Sequence, residues 1–413
     1  MTVAAAPATR VDVDAAARAI APFVRRTPLE RSEPFSQMAR CEVYLKLEDL
    51  QHTGAFKIRG ALHRLLRLDP AVRSRGVLTA SAGNHGQGVA YAARLLGVPA
   101  WVVVPEGVPL TKLTAIQRTG AEAIVEGRDY EAAHAIALRL ADKKRVTYVH
   151  AFDDADVIAG QGTVALEMLE DQPSLDVVVV PVGGGGLLAG CGVVTKARGV
   201  RLVGAQSDGA PAFTRSFAAR RVTTAPARTI ADGIAVGEPA ESTLELALAS
   251  AEEVRTVTDE QIARALLLLL ERHKVLAEPA GAAALAAVLE SERPLGERLG
   301  VVISGGNIDP NMLGKVIQQG LATAGRYLAF RTWLDDQPGR LHALTGVLTA
   351  ARINILHVGI HRLGPYTSLG RVGLDVIVDT RDRAHAESVL ELVRDAGFPA
   401  EELLDTYPQA LTG

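Results

Sequence analysis

Val177-Val178-Val179-Val180-Pro181-Val182-Gly183-Gly184-Gly185-Gly186-Leu187-Leu188-Ala189-Gly190 is the stretch on which the architecture turns. The unbroken apolar run 177–182 suits a strand buried on both faces, and such strands belong to parallel sheets covered by helices. Four consecutive glycines are costly in chain entropy. What they provide is bare backbone, whose N–H groups can close around an anion at the start of a helix. No Lys-Ser/Thr pair follows, so this is not the nucleoside-triphosphate loop.

Outward from this stretch, short apolar runs at 43–47, 76–79, 100–104, 202–205 and 300–303 alternate with Ala/Leu-rich stretches. The alternation predicts an α/β fold with a mostly parallel sheet. A short helix from residue 14 precedes it, and Pro28 opens a loop. Beyond Gly320 and Gly325 the pattern changes. It predicts strand 327–334, loop 335–339, helix 341–351, strand 354–362 and a connection at 363–369 with Gly364, Pro365 and Ser368. Strand 371–378, helix 384–396 and a weak strand at 400–404 complete a β-α-β-β-α-β order, the split-βαβ pattern of a separate α+β domain. The expected organisation is a catalytic part at 1–322, with a smaller subdomain at roughly 50–155 inserted in it, and a second domain at 326–406.

The 413 residues are 48% hydrophobic and 22% charged, with a net charge of −3. No basic field suits nucleic acid and no Lys/Arg run suits a membrane surface. The most apolar run, 265–270, is far too short to span a bilayer. There are two cysteines, Cys41 and Cys191, with no CxxC and no Cys/His cluster. Neither a disulfide framework nor a metal centre is expected. The first residues lack the pattern of a signal peptide, and the expected location is the cytoplasm.

Three further loops follow apolar strands, where ligands of open α/β sheets gather. In the first, 46–60, Thr53 is the expected N-cap and Lys57 falls in the first turns of a helix. The positive end of the helix dipole disfavours an ammonium there and biases Lys57 toward the nucleophilic neutral amine. In the second, 79–88, Ser81, Asn84 and the N–H groups of the following helix suit a carboxylate cradle, although the loop is also an N-cap with a tight glycine turn, the better reading in isolation. His85, read alone, satisfies a local hydrogen bond. In the third, 301–307, Ser304 sits past a buried strand, either as an ordinary turn serine, the better reading in isolation, or as a hydroxyl that meets a ring nitrogen. A rival reading takes Gly184, Gly186 and Ala189 as G-x-G-x-x-A with Asp208 beyond the next strand, the pattern of an NAD-dependent dehydrogenase.

Taken together and in order over about residues 20–320, these loops resemble the fold-type II pyridoxal-phosphate (PLP) enzymes, within them the threonine ammonia-lyase (threonine dehydratase) and serine racemase group. The resemblance implies a tryptophan-synthase-β-like catalytic part of two mostly parallel α/β domains. It makes Lys57, in Gly54-Ala55-Phe56-Lys57-Ile58-Arg59-Gly60, the lysine that holds the cofactor, with Phe56 beside it. Ser81-Ala82-Gly83-Asn84-His85 becomes the loop for the substrate carboxylate, with Asn84 also meeting the cofactor's phenolic oxygen. Gly183, Gly184, Gly185, Gly186 and Leu187 become the phosphate loop, and Ser304 faces the pyridine nitrogen. Thr229-Ile230-Ala231-Asp232-Gly233-Ile234-Ala235 also looks like a family segment.

The activity implied is elimination of ammonia from L-threonine to give 2-oxobutanoate, with L-serine to pyruvate as a second reaction. Serine dehydratase or serine racemase is the alternative. Serine racemases carry a serine at Ala82, and cation-binding acids within the stretch that is Gln206-Ser207-Asp208-Gly209-Ala210-Pro211-Ala212 here. Both differences favour elimination. Residues 326–406 resemble an ACT domain, the amino-acid-sensing module. Asp335-Asp336-Gln337-Pro338-Gly339-Arg340-Leu341 matches the loop where effectors bind between paired domains. That implies an amino-acid effector, a homodimer or homotetramer, and a place in isoleucine biosynthesis or threonine catabolism.

Overall fold

The computed structural model describes residues 11–361 and 370–403. The chain divides into two units, Met1–Asp309 and Pro310–Gly413.

The first unit contributes, among the described residues, β1 (Leu29–Arg31), β2 (Glu42–Leu47), β3 (Val77–Ala80), β4 (Ala100–Val104), β5 (Glu122–Val125), β6 (Thr147–Tyr148), β7 (Val177–Pro181), β8 (Arg201–Ser207), β9 (Glu253–Val257) and β10 (Arg298–Ile303). They form two sheets, as the two α/β domains implied by the resemblance require. The larger has the order β1-β2-β10-β7-β8-β9, the smaller β5-β4-β3-β6. Pairing is parallel except for β1 against β2. The expected loop after Pro28 is the short edge strand β1. β7 is buried along its whole length at the centre of the larger sheet, as its valine run requires. Strands β5, β6 and β9 escaped the sequence reading. They are short or carry charged residues such as Glu122, Glu253 and Arg255, and they lie toward sheet edges.

Each sheet has its own apolar core. Val178, Val180, Leu188 and Phe213 belong to the larger lobe, and Val77, Val89, Val102 and Ile116 to the smaller. Phe56 packs into the first core and Ile58, two residues on, into the second.

The second unit contains β11 (Tyr327–Asp335), β12 (Ile355–His361), β13 (Arg371–Asp379) and β14 (Ala400–Glu402), antiparallel in the order β12-β13-β11-β14. Helices Arg340–Ala350 and Arg383–Asp395 bury Leu344, Leu348, Val389 and Val393 with Phe330 and Val376. The helix Pro310–Thr323 groups with this unit. The expected connection at 363–369 lies outside the described residues. No helix among the described residues is long and apolar enough to cross a membrane.

One buried ionic network fastens the helix Lys57–Arg67 to the larger lobe. Arg59 donates to both Glu48 oxygens at 2.7 and 2.9 Å, to both Glu167 oxygens at 2.7 and 2.9 Å, and to Arg25 O and Thr163 Oγ1. Lys46 Nζ meets Glu167 at 2.6 Å and Thr27 O at 2.7 Å. Two cations face two carboxylates, so the charge balances. Burial works to raise the Glu48 pKa, but Arg59 overrides it and holds the group below the usual carboxylate range. Removing one partner strands a buried charge. Glu48→Ala is therefore expected to destabilise the protein by about 3–5 kcal/mol at neutral pH, read from urea unfolding midpoints. Because the folded pKa is depressed, that contribution is present above the ordinary value of 4.5 and is lost as pH falls. The gap between wild type and variant should narrow in acid.

Candidate active site

The helix bearing Lys57 does not begin at a Thr53 cap. Its N-cap is Phe56 and Lys57 is its first residue. Residues 54–56 instead pair with the end of β10. Ala55 bridges Gly305, Phe56 N–H donates to Ser304 O at 3.1 Å, and Gly306 N–H donates to Gly54 O at 2.9 Å. Thr53 Oγ1 turns to Ala55 O. This long-range pairing delays the helix by three residues and brings Lys57 and Ser304 to one place. The Lys57 amine donates to Ala151 O at 3.3 Å. Burial, opposed in part by Glu278, pushes its pKa down to about 8. Ser304 is itself buried, just past β10.

The second loop meets the same point. Helix Asn84–Leu95 is capped by Gly83, and Gly83 N–H donates to Ser81 Oγ at 3.2 Å. The N–H groups at the start of this helix have no intrahelical acceptor. Asn84 Nδ2 donates to Glu278 Oε1 at 2.5 Å, and Asn84 Oδ1 accepts from Asn307 Nδ2 at 2.8 Å. Ala82 is half-buried beside them. The His85 imidazole is committed elsewhere. Its Nε2 lies 3.0 Å from Val149 O, and burial with nearby Lys57 pushes its pKa down to about 3. The carbonyl must accept, so the proton sits on Nε2 and the ring stays neutral. What His85 adds to the loop is its backbone.

The tetraglycine turn runs from β7 into helix Gly186–Arg198, with Gly185 as N-cap at φ +91°. Gly185, Gly186, Leu187 and Leu188 therefore present N–H groups without intrahelical acceptors. A Cβ on Gly185 would run into the Phe213 ring, and one on Gly184 into the Phe152 ring. Thr243 Oγ1 holds Gly184 O at 2.7 Å. In a trans peptide this turns the Gly185 N–H the opposite way.

Phe152 links this turn to Lys57, since the preceding residue supplies the carbonyl that accepts from the amine. His150 shapes the link. Its Nδ1 accepts from the N–H groups of Phe152 at 3.3 Å and Asp153 at 2.8 Å. Burial pushes the His150 pKa down to about 4, so it remains an acceptor at neutral pH. Gln206, at the supposed cation stretch, uses its side-chain oxygen on Thr214 N and Oγ1. No group of three or more His, Cys, Asp or Glu poised for a metal occurs among the described residues.

Residues 20–305 match the family model described as pyridoxal-phosphate dependent enzyme. The chain belongs to this family. Residues 330–398 match the ACT domain. The chain is 42% identical to an L-threonine ammonia-lyase of Thermotoga maritima over 94% of its own length and 98% of that relative's. Among solved structures it resembles the T.th. threonine deaminase, with 40% identity, TM-score 0.69, and coverage of 72% of this chain and 98% of that one. It also resembles maize serine racemase, with 34% identity, TM-score 0.71, and coverage of 75% and 97%. Family membership replaces the dehydrogenase reading of Gly184, Gly186, Ala189 and Asp208.

The residues fit PLP. A bare-backbone turn at a helix start suits its phosphate, and an amine that burial biases toward neutrality suits its aldehyde. Glu278, Asn307, His150 and Phe152 were not singled out from the sequence. The only signal was their neighbourhood: Asn307 closes the Ser304-Gly305-Gly306 loop, and the others lie in stretches that carry no motif. Gly185→Ala combines a left-handed φ with overlap on Phe213, a cost of order 1–3 kcal/mol or more. It is expected to weaken PLP binding by about tenfold or more, read by absorbance titration of cofactor-free protein.

Proposed function

We propose that this enzyme converts L-threonine to 2-oxobutanoate and ammonia, with L-serine to pyruvate as a slower second reaction. The observation that carries this reading is the buried amine of Lys57, at a helix start, among the Ser81–His85, Gly183–Leu187 and Ser304 loops. The L-threonine ammonia-lyases of Thermotoga maritima and Geobacter sulfurreducens, the latter 39% identical over 92% of this chain, support the substrate.

Bound PLP supplies the sink for the electron pair left at the substrate Cα. The chain supplies position and proton transfer. Lys57 holds the cofactor through its amine, with Phe56 packed beside it. The same amine, when free, would be placed to take the Cα proton. Ser81, Ala82, Gly83, Asn84 and the His85 N–H would bind the substrate carboxylate, and Asn84 would also meet the cofactor's phenolic oxygen. Gly183–Gly186 and Leu187 hold the phosphate. The Ser304 hydroxyl would meet the pyridine nitrogen. It cannot enforce protonation there as a carboxylate would, which favours prompt loss of the β-hydroxyl. Ala82 offers no hydroxyl to return a proton on the opposite face, so elimination is favoured over racemisation.

We take 1–322 as the catalytic part, with 50–155 as its smaller lobe, and 326–406 as the regulatory ACT domain; the family matches at 20–305 and 330–398 support two parts, with the helix Pro310–Thr323 between them grouping with the second unit. The ACT match also supports an amino-acid effector at Asp335–Leu341 and a homodimer or homotetramer. Free Cys41 and Cys191 suit the cytoplasm.

The test is the visible absorbance of the purified protein, followed by 2-oxo acid release from L-threonine and L-serine with and without isoleucine, and by assay for D-serine. Lys57→Ala is expected to lose both the absorbance and turnover; full activity in that variant overturns the reading. Since the Lys57 amine is neutral above its pKa of about 8, PLP capture by cofactor-free protein should accelerate from pH 6 to 8 and level off beyond.

A further inference from the structure

Glu278 is a carboxylate only 4% exposed, placed against the same loops. It stands at the N-cap of helix Pro279–Leu289, and its backbone N–H is held by Gly305 O at 2.9 Å. Its Oε1 accepts from Asn84 Nδ2, while Asn307 Nδ2 donates to Asn84 Oδ1 at 2.8 Å and to Thr53 O at 2.7 Å. An amide gripped by a carboxylate oxygen at one end and a donor at the other has a single orientation once that carboxyl is ionised, above its pKa of about 7. The loop that carries Ser304 leaves room for this grip, because a Cβ on Gly305 would lie 2.6 Å from Glu278 Oε1. The charged groups that act on Glu278 are Lys57, Asp232 and Lys112, and the last two form an ion pair with each other. Burial first, then Asp232, raises the Glu278 pKa to about 7, while Asn84, Lys112 and Lys57 pull the other way.

We propose that Glu278 is a positioning residue for this site: it fixes the rotation of the Asn84 amide and supports the charge of the Lys57 amine. The inference rests on the roles given to Lys57 and Asn84 above. An isolated buried carboxylate would be costly. Here it does two things that neighbouring apolar residues cannot. It turns the Asn84 amide so that Oδ1 is left to Asn307, and it offsets part of the desolvation that Lys57 suffers.

The test uses the full chain with Glu278→Gln and Glu278→Ala, each checked for an unchanged urea midpoint. In cofactor-free protein, the pH dependence of Lys57 trinitrophenylation by trinitrobenzenesulfonate, in which the neutral amine displaces sulfite from the ring, is read by peptide mass spectrometry. Wild type should titrate near 8. Both variants lack the carboxylate charge, so the midpoint should fall by about half a unit or more. In cofactor-loaded protein, the Gln variant keeps an oxygen for Asn84 and should retain kcat/KM within about tenfold, while the Ala variant falls at least tenfold further. An unshifted Lys57 midpoint, or an Ala variant as active as the Gln variant, overturns the proposal. Absence of threonine turnover in wild type would overturn the substrate reading instead, and leaves the Lys57 titration able to decide this one.

Discussion

Arg59 is wholly buried and cannot shed its proton, so every one of its partners must stay in place. Those partners come from β2's end, from the 25–27 segment and from helix Ala155–Asp171. Sliding the helix Lys57–Arg67 by one turn would break them all. The network therefore fixes both the axial position and the rotation of this helix. Residues two apart on a helix point about 200° from each other. With Arg59 driven into the interior of the larger lobe, Lys57 is turned to the other side, toward Ala151 and the glycine turn.

The electrostatics around that amine follow one rule: burial pushes each ionisable group toward its neutral form. Lys57, His85 and His150 are all lowered, and Glu278 is raised. The two histidines serve as hydrogen-bonding shapes rather than charges. The fixed positive potential is left to backbone N–H groups at two helix starts, those after Gly83 and Gly185. Such groups cannot be neutralised by pH. An anionic ligand thus meets binding sites that hold across the working range, while the reactive amine stays close to its titration point.

Much of this was legible in the chain. The valine run with its glycines marked the central strand and the anion turn, because both signals are local. The β-α-β-β-α-β order of the second unit was also readable from periodicity alone. Thr53 misled because a cap is judged from neighbours in sequence, whereas 54–56 are claimed by residues 304–306, about 250 positions away. Glu278 was invisible for a related reason. It precedes an alanine-rich helix and looks like ordinary helix-start chemistry until Asn84 arrives from the other lobe. The split into two sheets came from the motif resemblance and not from periodicity, since parallel strands of both lobes share one pattern and pairing order is set by contacts far apart along the chain.

Phe56 and Ile58 pack into different cores, and the residue between them is Lys57. Mechanically, that peptide is a fulcrum. If the lobes rock against each other, points near the pivot travel least and points at the rim travel farthest. The amine would then stay registered with its carbonyl at Ala151, while a more exposed ion pair such as Lys112 with Asp232 would be the one to part. Under such rocking, the atom on which the chemistry turns would be the one least displaced.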